Sequence, residues 1–192
     1  NWEPLDKRKN ERIFDQPYAT THTFDIKTPA KDYRYLRLRQ NGINSSDNNF
    51  LCISSLEFYD TLSNNQQQLN KTKKLQTENF IIDQLTKEIG GNVHDKGIVK
   101  VTGSSEYDID YSARNTVEIH DDSKYFYSFD EENSWLTYDF IKRKVHPTKY
   151  SITTPSTWFE DRPINWIIEG SNDNDNWEPL DKRKNERIFD QP

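Results

Sequence analysis

The sequence predicts an all-β fold, an antiparallel sandwich with one short helix. Three observations carry this expectation. Short stretches in which apolar and polar residues alternate recur along the chain, polar turn-forming clusters separate them, and a single stretch shows helical spacing. The 192 residues suffice for one domain with a sizeable core. Apolar residues make up only 32% of the chain but aromatic ones reach 13%, so a few large rings must supply much of the burial.

In residues 18–27, Thr21, Thr23 and Asp25 alternate with His22, Phe24 and Ile26, a strand pattern rich in β-branched and aromatic residues. In residues 32–40, Leu36 and Leu38 point one way and Arg37 and Arg39 the other, which predicts a half-buried strand with a basic outer face. Residues 41–49 (NGINSSDNN) are turn chemistry throughout. Residues 50–59 return as a strand with Leu56 and Phe58 on one side, so the two strands read as an antiparallel pair joined by a polar loop. Residues 63–78 carry little to bury and are expected to be a solvated linker. Ile81, Leu85 and Ile89 then recur every four residues before Gly90 and Gly91, predicting a helix over 79–89. Further strands are expected at 98–102, 135–141, 149–153 and 165–169, with Trp135, Trp166 and Trp177 in the core.

One stretch of text occurs twice. Residues 1–17 read NWEPLDKRKNERIFDQP, and residues 176–192 repeat it letter for letter, a period of 175 residues. A period so long holds a whole domain rather than one supersecondary unit, and points to a tandem array or a permuted chain. The expected organisation is two domain halves, 1–62 and 79–192, joined by the linker at 63–78, with 1–17 and 176–192 as the overlap.

Composition excludes several functions. The net charge is −6 with basic and acidic residues interleaved, so nothing offers the one-sided positive face that nucleic acid requires. No apolar run is long enough to span a bilayer. Cys52 is the only cysteine, which leans toward a reducing, cytoplasmic setting, although a cell-surface or secreted location stays open and would bring the sequons at Asn44 and Asn70 into play. The four histidines lack metal-ligand spacing, Cys52 reads as a small buried thiol, and neither a nucleophile elbow nor a phosphate-cradling glycine loop occurs. Catalysis and a cofactor are therefore not expected.

Residues 113–140 (ARNTVEIHDDSKYFYSFDEENSWLTYDF), 166–177 (WIIEGSNDNDNW) and 33–60 (YRYLRLRQNGINSSDNNFLCISSLEFYD) together resemble the discoidin, or coagulation-factor type C, domain. The match is closest to divergent versions in repetitive proteins of unicellular eukaryotes. The resemblance implies a galactose-binding-like jelly roll, and the family order is restored by reading from 81 to 192 and continuing at 18. Such a fold has one place for the repeated text, so one copy is expected to be displaced, disordered or donated to a neighbour.

The resemblance also implies ligand recognition by loops at one end of the sandwich, here residues 156–163, with Trp158, Phe159, Asp161 and Arg162 as candidate binding residues. It implies further that Glu118, Asp121 and Asp122, helped by Glu57, are candidate ligands of a structural calcium ion, the alternative to no cofactor at all. The expected role is a noncatalytic recognition or scaffolding module that binds protein partners or neighbouring repeats. A carbohydrate-binding module using the loop aromatics is the alternative. A phospholipid surface is disfavoured by the acidic balance.

Overall fold

The computed structural model describes residues 19–28, 31–60, 79–156 and 161–190. They form an antiparallel β-sandwich. One sheet has the strand order β1 (Thr21–Asp25), β9 (Pro147–Thr153), β4 (Ser55–Asp60), β5 (Asn79–Phe80). The other runs β11 (Glu178–Arg183), β10 (Trp166–Ser171), β2 (Tyr35–Gln40), β8 (Trp135–Asp139), β6 (Lys100–Gly103). A short ribbon pairs β3 (Cys52–Ile53) with β7 (Phe126–Tyr127). Strands from 21–60 and from 79–183 are interleaved in both large sheets, so the two segments share one core.

Alternation decides which side chains enter that core. Leu36 and Leu38 of β2, Leu56 and Phe58 of β4, Tyr138 of β8, Tyr150 and Ile152 of β9, and Trp166 and Ile168 of β10 are fully buried in one cluster. Gly170 lets the Tyr33 ring lie against β10, since a Cβ there would stand 2.7 Å from that ring.

The helix α1 (Ile81–Ile89) buries Ile81, Ile82 and Leu85, and Gly90 ends it in the left-handed region at φ 67° with its N–H bonded to the Thr86 carbonyl. It starts two residues later than the periodicity predicts because Asn79 and Phe80 pair with Asp60 and Tyr59 as β5.

Three expectations change in the folded chain. The strands β2 and β4 are not partners. β10 and β8 flank β2, β9 and β5 flank β4, and the leucines of β2 share one core with Leu56 and Phe58 of the other sheet rather than lying beside them in one sheet. Only Trp166 of the three expected core tryptophans is fully buried. Trp135 and Trp177 are half-buried, and Trp177 lies under the Arg37 guanidinium, 3.8 Å from its ring centroid. Lastly, short 3-10 turns at Ile109–Tyr111, Ala113–Val117 and Ile188–Asp190 add to the one helix expected. The first copy of the repeated text and the linker at 63–78 lie outside the described residues.

Candidate recognition sites

The loop that carries the predicted binding residues is described from Asp161 onward, and Trp158 and Phe159 lie outside the described residues. Asp161 is buried. Its carboxylate accepts the Tyr127 hydroxyl at 2.6 Å, the Asn48 side-chain amide at 2.8 Å and that of Asn44 at 3.2 Å. The Arg162 N–H donates to the Ser45 hydroxyl at 2.9 Å, and its carbonyl accepts the Ser45 N–H at 3.0 Å. Both residues thus tie their loop to the 44–48 turn. Asn44 is itself buried, with its amide donating to Asn48, to the Phe50 carbonyl and to Asp161. Burial, followed by the hydrogen bond to Asp161 and then the Asp161 charge, pushes the Tyr127 hydroxyl well above its ordinary pKa. Burial does the same to the Cys52 thiol.

Tyr127 is the floor of a patch of rings that sequence reasoning missed. Phe50 stacks on it at 4.8 Å and 11° between planes. Tyr107 meets Tyr127 edge-on at 5.6 Å and Phe129 at 6.0 Å, and Tyr111 adds contacts to Tyr107 and Tyr125. The patch is open to solvent. Tyr107 is 54% exposed, Phe129 46% and Ile109 86%. Exposed acids, Asp108, Asp110, Asp130, Glu131 and Glu132, neighbour these residues in sequence. A signal existed in the run YFYSF at 125–129, which alternation alone assigns to a strand.

The acidic residues expected to hold calcium are engaged separately. Glu57 points outward from β4 yet is buried, because α1 begins over it. Its Oε1 accepts the Phe58 and Ile82 N–H groups, each at 2.8 Å, and its Oε2 accepts that of Asp83 at 2.9 Å. The helix has no capping side chain of its own, so this carboxylate from another element caps it. Burial raises the Glu57 pKa to about 7 against the lowering effect of the three N–H donors. Glu118 accepts the Asn92 amide at 2.7 Å, and Asp121 accepts the Ser123 hydroxyl at 2.5 Å. Among the described residues no three His, Cys, Asp or Glu side chains gather closely enough to hold a metal ion.

Beside Glu57 lies a cleft of about 270 Å³. Its walls are the Ser55, Ser151, Thr153 and Thr21 hydroxyls, the Tyr59 and Phe80 rings, and Asp83 with His120. The His120 Nε2 stands 3.3 Å from Asp83 Oδ1, and Lys87 pairs with the other carboxylate oxygen. On the opposite sheet, Arg37 and Arg39 both converge on Glu169 at 2.7 and 2.8 Å. Burial opposes the Glu169 charge, but the two guanidinium groups outweigh it and hold its carboxyl below the ordinary value. Those arginines are therefore partnered within the sheet.

No family model, curated protein or solved structure matches this chain. The class that the geometry defines is an all-β sandwich whose loops present an exposed ring patch on a hydrogen-bonded base.

Proposed function

We propose that this chain is a noncatalytic recognition module that binds a protein partner through the Tyr107, Ile109 and Phe129 patch. The observation that carries the reading is that Tyr107 and Phe129 stand exposed against each other, with the exposed Ile109 two residues along the chain, over stacked rings whose base is anchored by Asp161. Tyrosine-rich, preorganised surfaces bind proteins at low entropic cost, because their side chains are already held. The acids around the rings favour a partner with an apolar centre and a basic rim. The buried carboxylates Asp161 and Glu57 are spent on loop and helix architecture, which argues for scaffolding rather than chemistry. The resemblance to discoidin-type domains points the same way.

The test is capture of partners from the source lysate by the wild-type chain and by Ile109→Asp and Tyr107→Ala variants. Bound species lost with both variants, at unchanged melting temperature, support the reading. Capture that is indifferent to both variants defeats it.

The cleft favours a second reading, a carbohydrate ligand. Four hydroxyls and two rings around about 270 Å³ suit one sugar residue. A glycan array separates the two readings, with Phe80→Ala and Trp158→Ala as controls. A sugar ligand in the cleft loses its signal with Phe80→Ala, and one held by the loop loses it with Trp158→Ala.

A further inference from the structure

We infer that the ring patch receives an arginine side chain of its protein partner, the guanidinium lying on the Tyr107 or Phe129 ring and bonding the carboxylates of the same loops. The inference rests on the reading of this patch as a protein-binding surface and names the chemistry of what binds there.

It begins with how the molecule handles its own arginines. In three places among the described residues a guanidinium covers a ring while it bonds a carboxylate. Arg37 lies 3.8 Å from the Trp177 ring centroid and pairs with Glu169 at 2.7 Å. Arg34 lies 4.8 Å from that of Tyr35 and pairs with Asp139 at 2.8 Å. Arg183 lies 4.7 Å from that of Phe24 and pairs with Asp181 at 2.6 Å. The arrangement follows from the group itself. A guanidinium is planar and weakly hydrated, so its face rests on a ring while the N–H groups along its edge bond oxygen.

The patch supplies two of these three parts, ring and carboxylate. Tyr107 packs edge-on against Phe50 at 6.4 Å and Tyr127 at 5.6 Å, so its ring is held before a partner arrives. The two loops lie side by side, because the Tyr107 N–H donates to the Tyr127 carbonyl at 2.9 Å and the Phe129 N–H to the Ser105 hydroxyl at 3.0 Å. Glu106, Asp108 and Asp110 stand in residues 104–112, and Asp130, Glu131 and Glu132 in residues 127–133; all are exposed, and neither stretch contains a lysine or an arginine. Arg39 reaches the margin, where it bonds Asn133 at 3.1 Å, but it also bonds Glu169. The carboxylates attract any positive group. The rings select among them, since an ammonium keeps its water and a guanidinium gives up its face to a π-system.

Titration of peptides into the intact, isotope-labelled chain, followed by NMR chemical shifts, tests this. The probes are a peptide of three Arg-Gly-Gly repeats, its lysine counterpart and its citrulline counterpart, which keeps the planar shape and loses the charge. The arginine peptide is expected to shift the signals of Tyr107, Ile109 and Phe129 and to bind about tenfold more tightly than the lysine peptide. The citrulline peptide is expected not to bind. Tyr107→Leu with Phe129→Leu keeps every acid and should bring the arginine peptide down to the lysine level. The comparison of peptides needs only the wild-type chain, so it stands even if the double variant fails to fold. Equal binding of the arginine and lysine peptides overturns the inference, as does a preference for arginine that survives both leucine substitutions in a folded variant. Lysate capture that is lost with Ile109→Asp and Tyr107→Ala, found together with equal binding of the two peptides, leaves the patch a protein surface and overturns arginine as its ligand.

Discussion

Tyr150→Phe removes one hydroxyl at the point where the repeated text meets the rest of the molecule. That hydroxyl donates to Asp181 at 2.7 Å and accepts the Trp166 indole N–H at 2.9 Å, with all three side chains buried. The three residues come from β9, β11 and β10, so the chain of bonds crosses from one sheet to the other. Losing a hydrogen bond to a buried carboxylate costs about 1.5–3 kcal/mol, and leaving a buried indole N–H without an acceptor adds about 1–3 kcal/mol. Arg183 stays on Asp181 at 2.6 Å and limits the damage. The expected loss is therefore about 3 kcal/mol, which lowers the melting temperature by roughly 6–12 °C in a domain of this size. Urea unfolding monitored by tryptophan fluorescence reads it, with an unchanged slope confirming the same cooperative unit. Tyr33→Phe is the control. Its hydroxyl bonds the half-exposed Glu178 at 3.1 Å, and its removal costs about 1 kcal/mol or less. Equal, small losses for both variants would refute the argument that the Trp166–Tyr150–Asp181 chain couples the sheets.

Glu57 makes stability depend on pH in an unusual sense for a carboxylate. Folded, it keeps its proton up to about pH 7, whereas unfolded it releases it near 4.5, so between those values the native state binds more protons. Stability contributed by this group is full below 4.5 and falls as pH rises to 7, by up to about 3 kcal/mol. Glu57→Gln should flatten that portion of a stability profile measured by urea unfolding. Glu169→Ala strands two half-buried guanidinium groups and is expected to cost about 3 kcal/mol, whereas Arg37→Met leaves Glu169 paired with Arg39 and costs less; a double-mutant cycle reads the coupling. Asn44, although it sits in a sequon, is 1% exposed and hydrogen-bonded, so expression through a secretory route should leave residue 44 unmodified in the folded chain by peptide mass mapping.

The strands were legible where one face is buried and the other wet. Leu36 and Leu38 against Arg37 and Arg39 is such a case, and the helix was legible from Ile81, Leu85 and Ile89. Partnership was not. β2 and β4 look like a hairpin because they are consecutive and a polar loop joins them, but each is flanked by strands distant in sequence. Alternation reports the face of a strand and carries no record of its neighbour. The role of Glu57 was equally hidden, since an outward-facing acid reads as solvated until a helix begins above it. Asp161 looked like a loop residue facing a ligand, yet Asn44, Asn48 and Tyr127 converge on it from other parts of the chain.

By itself the sequence determined the all-β class, the positions of most strands, the helix at Ile81–Ile89 and the duplication of seventeen residues, because period, turn chemistry and identity are local properties of the text. The tertiary structure decided which strands pair, how residues 178–189 are seated, and that Tyr107 and Phe129 stand exposed beside Tyr127. Those outcomes depend on contacts between residues distant in sequence, from Tyr107 with Phe129 to Asn44 with Asp161 and Tyr33 with Glu178, and no local pattern encodes them.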